Sequence, residues 1–143
     1  MSQLVQVIYV SSEAYVLQQS DLLSILDASI RNNPPRGITG MLLYARGSFM
    51  QVLEGEESAV AETMARIHAD TRHQNIFELS RTPITTREFG SWSMGFRALT
   101  PADAATWPGY APFFQFGFDA TTLIHHPGLA AEMLRTFGDK NGE

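Results

Sequence analysis

The stretch from Gly37 to Gly55, GITGMLLYARGSFMQVLEG, decides the fold, because it contains two apolar runs separated by a short polar turn. The first run, ITGMLLY, covers residues 38–44, and the second run, SFMQVL, covers residues 48–53. Ala45-Arg46-Gly47 between them has the length and the glycine of a hairpin turn. The stretch therefore predicts two antiparallel strands, of which the second ends at Glu54-Gly55.

The residues before the hairpin predict a strand followed by a helix. Leu4–Val10 is rich in β-branched residues, and its adjacent Val7 and Ile8 are typical of a strand buried on both faces. A helical pattern begins at Ser20-Asp21, where the serine can cap the helix and the aspartate suits its first turn. The helix is expected to end at Asn32-Asn33, because the two prolines that follow disfavour helical backbone.

The residues after the hairpin predict a second helix over 56–69 and strands at Ile76–Leu79 and Ser91–Phe96, with Pro83 and Gly90 in the connection between the strands. The order β-α-β-β-α-β-β indicates an α+β fold, a ferredoxin-like sandwich with a mixed sheet and two helices on one face. Residues 1–99 are expected to form this domain.

The other face of such a sheet needs a cover, and residues 100–143 can supply it as a C-terminal helical extension. Thr100-Pro101 predicts the start of a short helix that ends near Trp107. A turn-rich break is expected from Pro108 to Pro112, and a helix from Pro127 to Phe137. The chain is expected to fray from Gly138 onward.

Composition narrows the function classes. The chain has 143 residues, no cysteine and a net charge of −5, so it has no disulfide, thiol nucleophile or thiolate zinc site, and nothing favours direct nucleic-acid binding. No apolar run approaches the roughly 18 residues that a membrane span needs, and Met1-Ser2-Gln3 does not begin a signal peptide. We expect a soluble cytoplasmic protein without membrane partners. The neighbours His125-His126 are expected to be surface residues rather than metal ligands.

Four polar features need an explanation. Tyr9 and Gln51 lie within predicted apolar strands, and Asn32-Asn33 and Arg72-His73 lie at the ends of the two predicted helices. Each has an ordinary explanation, namely a core tyrosine bonded to a backbone carbonyl, a strand-edge glutamine, a helix cap and the polar end of a helix. If the first and third strands are neighbours, however, Tyr9 and Gln51 meet across them. A flat polar ring could then lie between the two helices. From the residues alone both interpretations stay open.

The polar features fall within six segments that, taken together and in order, resemble the BLUF family of blue-light sensors using flavin. The segments are Tyr9-Val10-Ser11, Ser29–Asn33, Gly37–Leu42, Phe49–Gly55, Ile67–His73 and Phe89–Met94. No single segment is specific for the family, but six segments in the same order over about 95 residues are specific for it. The resemblance implies that residues 1–99 are a flavin-binding photosensory domain of the short, single-domain type.

The resemblance implies a noncovalently bound flavin between the two helices, normally FAD, with FMN as an alternative. Asn33 would hydrogen-bond the polar edge of the ring, with Asn32, Arg72 and His73 nearby. Asn32 stands where some members carry histidine. Four further residues would line the pocket: Ile25, Ser29, Phe49 and Ile67. Gln51 would lie between Tyr9 and the flavin.

The mechanism implied by the resemblance is light-driven transfer of an electron and a proton from Tyr9 through Gln51. The Gln51 amide would rotate or tautomerise, and its changed hydrogen bond would shift the flavin spectrum to the red. Trp92 and Met94 match fifth-strand positions that relay the change towards the C-terminal helices.

The expected output is binding to a separate downstream signalling protein of unknown identity, together with self-association into a homo-oligomer. The domain is expected to have no catalytic output of its own. Two alternatives stay open: a flavin-dependent or acylphosphatase-like enzyme on the same fold, and an adaptor without a cofactor. The adaptor would leave Gln51 and the asparagine pair unexplained.

Overall fold

The computed structural model of the protein describes residues 3–89, 95–126 and 128–141. Its strands are β1 (Leu4–Glu13), β2 (Thr39–Ala45), β3 (Ser48–Glu56), β4 (His73–Ile84) and β5 (Gly95–Ala98). Its α-helices are α1 (Gln19–Asn32), α2 (Glu57–Ala69), α3 (Pro101–Thr106), α4 (Ala111–Phe116), α5 (Ala120–Ile124) and α6 (Leu129–Asn141). Two short 3₁₀ turns cover Pro34–Arg36 and Pro108–Tyr110.

The five strands form one mixed sheet in the order β4-β1-β3-β2-β5. β1 pairs antiparallel with both β3 and β4, β2 pairs antiparallel with β3, and β5 adds in parallel to β2. The predicted ferredoxin-like α+β sandwich is thus confirmed. β1 and β3 lie at the centre of the sheet, which explains why both are apolar almost throughout.

The hairpin between β2 and β3 turns at Arg46 and Gly47, which both have positive φ, 49° and 77°. Two consecutive positive φ values match the twist of the flanking strands and permit a two-residue connection. Ala45, predicted within the turn, is the last residue of β2.

The two faces of the sheet bury different helices. Val5, Val7 and Leu53 pack with Val60 and Met64 of α2. On the opposite face, a second cluster joins the sheet to α6, and its members include Ile8, Val10, Met50, Val52, Met133, Leu134 and Phe137. The C-terminal helices therefore cover the second face, as expected. No helix in the described part of the chain is long and apolar enough to cross a bilayer.

β4 is longer than the predicted Ile76–Leu79 and includes Pro83, which was wrongly assigned to a connection. β4 is an edge strand, so a proline there costs no hydrogen bond on its open side. Of the predicted strand Ser91–Phe96, residues 90–94 lie outside the described residues, and β5 is described from Gly95.

The described part of the C-terminal extension contains two helices more than predicted, namely α4, which begins within the expected break, and α5. Pro112 is tolerated because it lies in the first turn of α4, where its missing N–H has no intrahelical partner. α6 extends beyond the expected frayed end at Gly138, to Asn141.

Ser48, at the start of β3, joins the hairpin to the C-terminal extension. Its buried hydroxyl donates to the Ala45 carbonyl at 2.7 Å and accepts from the Phe118 N–H at 2.7 Å. The extension is thereby anchored to the sheet by a buried hydrogen bond as well as by apolar packing.

We expect Ser48→Ala to lower the free energy of unfolding by about 1–3 kcal/mol, because the buried Phe118 N–H would lose its acceptor. Urea denaturation followed by circular dichroism measures the loss. Ser58→Ala, at an exposed position of α2, is the matched control and should change stability by less than about 0.5 kcal/mol. Equal losses in the two variants would contradict this anchor.

Candidate functional site

A cavity with about 650 Å³ of empty space, partly open to solvent, lies between α1, α2 and the sheet. The residues that line it come from both helices, the end of α1, four strands and the α2–β4 connection: Tyr9, Ile25, Ala28, Asn32, Asn33, Leu42, Phe49, Gln51, Thr63, Arg66, Ile67, Asp70, Arg72 and His73.

Tyr9 and Gln51 meet at the floor of this cavity. They are directly opposite each other in the β1–β3 pairing, and the Tyr9 hydroxyl donates to Oε1 of Gln51 at 2.5 Å. Each residue is only 3% exposed. Because Oε1 accepts the tyrosine proton, the Gln51 amide presents its NH₂ group as the donor.

Burial raises the pKa of Tyr9 far above its ordinary value, and the negative charge of Asp70 raises it further. Tyr9 is therefore a neutral phenol that donates a hydrogen bond throughout the physiological pH range.

Asn32 and Asn33 lie at the end of α1. The Asn33 carbonyl accepts from the N–H groups of Arg36 and Ile38, both at 3.0 Å, so the main chain at the cavity wall is fixed. The Asn33 side chain is buried and lines the cavity, but its amide makes no hydrogen bond to any described residue. A buried amide needs a partner, so Asn33 is available to a polar ligand.

Arg72 is oriented by Asp70. Its guanidinium donates to both carboxylate oxygens of Asp70, with Nε–Oδ1 2.9 Å and Nη2–Oδ2 2.7 Å, and Nη1 donates to Ser24 of α1 at 3.0 Å. Hydrogen bonding to Arg72 lowers the pKa of Asp70, and the same hydrogen bonds raise the pKa of Arg72. The pair is therefore ionised and adds no net charge to the cavity.

His73, the first residue of β4, is held on both ring nitrogens. Nε2 lies 2.8 Å from the Ile67 carbonyl, and Nδ1 lies 2.9 Å from Oγ of Ser11. A carbonyl can only accept, so Nε2 carries a proton, and in the neutral ring the Ser11 hydroxyl donates to Nδ1. The ring packs edge-on against Phe49, with centroids 6.0 Å apart.

The structure brings the predicted site residues around one cavity, with three exceptions. The side chain of Ser29 lies outside the described part of α1, and Trp92 and Met94 lie outside the described residues altogether. All other predicted pocket residues line the cavity, which does not in itself test their roles. His125 and His126 are exposed, and the described residues contain no cluster of acids and histidines that could hold a metal.

Sequence reasoning missed five lining residues: Ala28, Leu42, Thr63, Arg66 and Asp70. Helical periodicity could have found four of them. Ala28 is one turn after Ile25 on α1. On α2, Thr63 and Arg66 lie on the same face as Ile67, which points to the cavity, and Asp70 follows at the end of that face.

The residues present fit a flavin. The apolar walls, among them Ile25, Leu42 and Phe49, suit the faces of a flat aromatic ring. The amide of Asn33 offers both a donor and an acceptor for its polar edge.

Comparison with known proteins supports the same assignment. The family model described as BLUF, sensors of blue-light using FAD, matches residues 4–95. The dark-state structure of BlrB, a BLUF protein, is 34% identical, with a TM-score of 0.80 and coverage of 98% of both chains. A structure of BlrP1 from Klebsiella pneumoniae with FMN and cyclic diGMP is 29% identical, with a TM-score of 0.64, over 87% of this chain and 35% of BlrP1.

A curated relative is subunit alpha of the photoactivated adenylate cyclase of Euglena gracilis. It is 35% identical over 106 residues, which are 74% of this chain and 10% of the relative. The chain thus spans about a tenth of the length of that relative. With a family model that matches more than half of its residues, this chain belongs to the BLUF family of blue-light sensors that use FAD.

Proposed function

We propose that the cavity between α1 and α2 binds FAD noncovalently and that Tyr9 and Gln51 convert absorption of blue light into a structural signal. The observation that carries this proposal is the 2.5 Å hydrogen bond between the Tyr9 hydroxyl and the Gln51 amide at the cavity floor. FMN would bind in the same way, since the related BlrP1 structure holds FMN.

The polar edge of the ring would be held by the amide of Asn33, which has no hydrogen bond to the described residues, with Asn32, Arg72 and His73 nearby. The apolar side chains of Ile25, Phe49 and Ile67, together with Ser29, would enclose its faces. Bound flavin would supply the absorption of blue light and, when excited, a strong oxidant.

Tyr9 is placed to respond to such an oxidant. It can release an electron, while its hydroxyl proton moves along the hydrogen bond to Oε1 of Gln51. When both return to Tyr9, the Gln51 amide is left rotated or tautomerised. An amide suits this switch because it holds a donor and an acceptor of similar size and can exchange them without a change of charge.

The signal would leave through β5 and the C-terminal helices, with residues 1–99 as the sensor and residues 100–143 as its extension. Trp92 and Met94 would carry the change into β5. There the Arg97 guanidinium lies 5.5 Å from the ring centre of Trp107 and 5.3 Å from that of Phe137, and it pairs with Asp103 at 2.7 Å. Arg97 thus connects β5 to α3 and α6 at one point.

We further propose that the chain is a signalling module rather than an enzyme. It would act in the cytoplasm on a separate protein, with self-association of the sensor as part of the output. A yellow protein whose absorption shifts to the red under blue light and recovers in darkness is the expected behaviour. Colourless protein that takes up no added flavin would contradict it.

Gln51→Leu should retain flavin with an affinity within about tenfold of the original, because only one neutral hydrogen-bonding group is lost. It should lose the light-induced red shift, because leucine can neither donate nor accept. Difference absorption spectra of illuminated and dark protein measure this. Gln19→Leu, at an exposed position of α1, is the control and should shift normally. A normal shift in Gln51→Leu would exclude the proposed switch.

Tyr9→Phe should abolish the normal photocycle, whereas Tyr44→Phe should preserve it. Tyr44 is the matched control because it also donates a hydrogen bond within the protein, to Glu13 at 2.9 Å, but does not line the cavity. Loss of the photocycle in both variants would point to a general effect of tyrosine removal.

The unaltered protein should give the same amplitude of red shift from about pH 6 to about pH 9. The raised pKa keeps Tyr9 protonated as the pH rises through this range, and deprotonation begins only above the ordinary tyrosine value of about 10. A decline centred near pH 8 would show that another group controls the switch.

Arg97→Gln should keep the red shift but reduce the light-dependent change in amide hydrogen exchange of α6, because β5 loses its cationic contact with Trp107 and Phe137. Hydrogen-exchange mass spectrometry in darkness and light measures this. Arg81→Gln removes an exposed ion pair on β4 and is the control. An undiminished light response of α6 in Arg97→Gln would place the exit of the signal elsewhere.

A further inference from the structure

We propose that Glu54 is a positioning residue for the light switch. Its carboxylate fixes one end of the segment that carries Trp92 and Met94, and it thereby determines how long the light-induced state persists in darkness. This inference rests on the proposed function and adds to it a residue that does not line the flavin cavity.

The Glu54 side chain is completely buried on the side of the sheet opposite to the cavity. Gln51 and Glu54 are three residues apart on β3, so their side chains lie on opposite faces. Gln51 lines the cavity, whereas Glu54 shares its face with Val52, which packs in the cluster of α6. One short stretch of strand therefore joins the proposed switch to the group that Glu54 holds.

Both carboxylate oxygens of Glu54 accept hydrogen bonds. Oε1 accepts from the Phe89 N–H at 2.7 Å, and Oε2 accepts from the Glu88 N–H at 3.1 Å and from Nε2 of Gln6 at 2.7 Å. Among the described residues, no cationic group forms an ion pair with this carboxylate. Its burial therefore depends on these three donors, and a hydrogen bond to a charged acceptor is stronger than one between neutral groups.

The three donors require an acceptor at both oxygen positions. In a glutamine at position 54, one of the two atoms would be an NH₂ group, which would face either the Phe89 N–H or the two donors at Oε2. A side chain of the same size would therefore fail because of its hydrogen-bond polarity alone. This requirement distinguishes a carboxylate that fixes the main chain from a residue that only fills space.

The two main-chain N–H groups that Glu54 holds belong to Glu88 and Phe89, which come directly before the segment that contains Trp92 and Met94. At its other end this segment is joined to β5, which pairs with β2. Phe89 is also buried in the cluster of α6. The chain on either side of Trp92 and Met94 is therefore attached to the sheet, on one side by a single carboxylate.

An attached main chain slows the return to the dark state. Under the proposed function, Trp92 and Met94 return together with Gln51 when the light-induced state decays. Two packed arrangements of one segment interconvert through positions that disturb its buried hydrogen bonds, and each such disturbance raises the barrier. Release of the main chain from Glu54 therefore lowers the barrier and shortens the lifetime of the light-induced state.

Glu54→Gln in the flavin-loaded protein tests this proposal. The variant should keep the red shift, because Tyr9 and Gln51 are unchanged, but it should recover in darkness about tenfold faster. The decay of the difference absorption after a pulse of blue light measures the rate. In protein kept dark, the amide hydrogens of Glu88 and Phe89 should also exchange with solvent about tenfold faster, as measured by NMR.

Two control variants separate this role from a general loss of stability. Ser48→Ala removes another buried hydrogen bond of β3 but leaves the Glu54 carboxylate and its donors unchanged. Glu88→Gln removes the ion pair with Arg135 but keeps the Glu88 N–H on Glu54. Both variants should recover within about twofold of the unaltered rate.

Gln6→Leu is a milder variant, which decides the matter if Glu54→Gln does not fold. It removes one of the three donors and leaves both main-chain N–H groups, so its recovery should be about two- to fivefold faster than that of the unaltered protein.

An unaccelerated recovery in Glu54→Gln, or in Gln6→Leu where only this variant folds, would overturn the role of Glu54. Unchanged exchange of the Phe89 amide or an equal acceleration in Ser48→Ala would do the same. The flavin site and the Tyr9–Gln51 switch would then stand without it. Absence of a red shift in the unaltered protein would instead refute the proposed function, and this inference with it.

Discussion

The antiparallel pairing of β1 with β3 is the constraint on which the rest of the structure depends. It places Tyr9 opposite Gln51 and is fixed by apolar residues on both faces of each strand, which pack in two separate clusters. A slip of one residue would turn every side chain of a strand to the other face. Val5 and Val7 of β1 would then lose their packing against α2. The cost of such a slip is a large part of the core, so the geometry of the Tyr9–Gln51 pair is secured by packing far from the cavity. A switch that works through one hydrogen bond needs this degree of definition.

β3 also connects the two sides of the molecule. Gln51 faces the cavity, whereas Ser48 and Glu54 of the same strand bind segments on the side of the C-terminal helices. The carboxylate of Glu54 is completely buried and accepts from the N–H groups of Glu88 at 3.1 Å and Phe89 at 2.7 Å, which directly precede the segment that contains Trp92 and Met94. Glu88 in turn pairs with Arg135 of α6 at 2.7 Å. A rearrangement at Gln51 therefore occurs on a strand whose opposite face already holds both the approach to β5 and the last helix.

Local patterns in the sequence were sufficient for the order of the elements, because those signals were local, whereas the lining of the cavity was assigned from the resemblance to the BLUF family. The hairpin turn, the prolines after Asn33 and the stripes on α1 and α2 each depend on a few neighbouring residues. The extent of β4 could not be predicted in this way, since Pro83 is acceptable only at the edge of a sheet, and the edge is a property of the whole topology.

Arg66 was missed for a similar reason. On α2 it looks like an ordinary surface arginine, and its lack of a partner becomes visible only when Asp70 is seen to be occupied by Arg72. Trp92 and Met94 stay predictions because they lie outside the described residues.

The distribution of charge explains why the switch uses an amide and a phenol. The floor of the cavity is buried and formed by neutral side chains, and a charge placed there without a partner would be strongly unfavourable. A carboxylate or an imidazolium at position 51 would introduce such a charge whenever it changed its protonation state. Gln51 can exchange donor and acceptor with no change in net charge, and burial keeps Tyr9 neutral before and after the event. The ionised groups, Arg66 and the Asp70–Arg72 pair, are half-buried at the edge, where solvent stabilises them. The floor is thus free to change its hydrogen bonds without a change of charge.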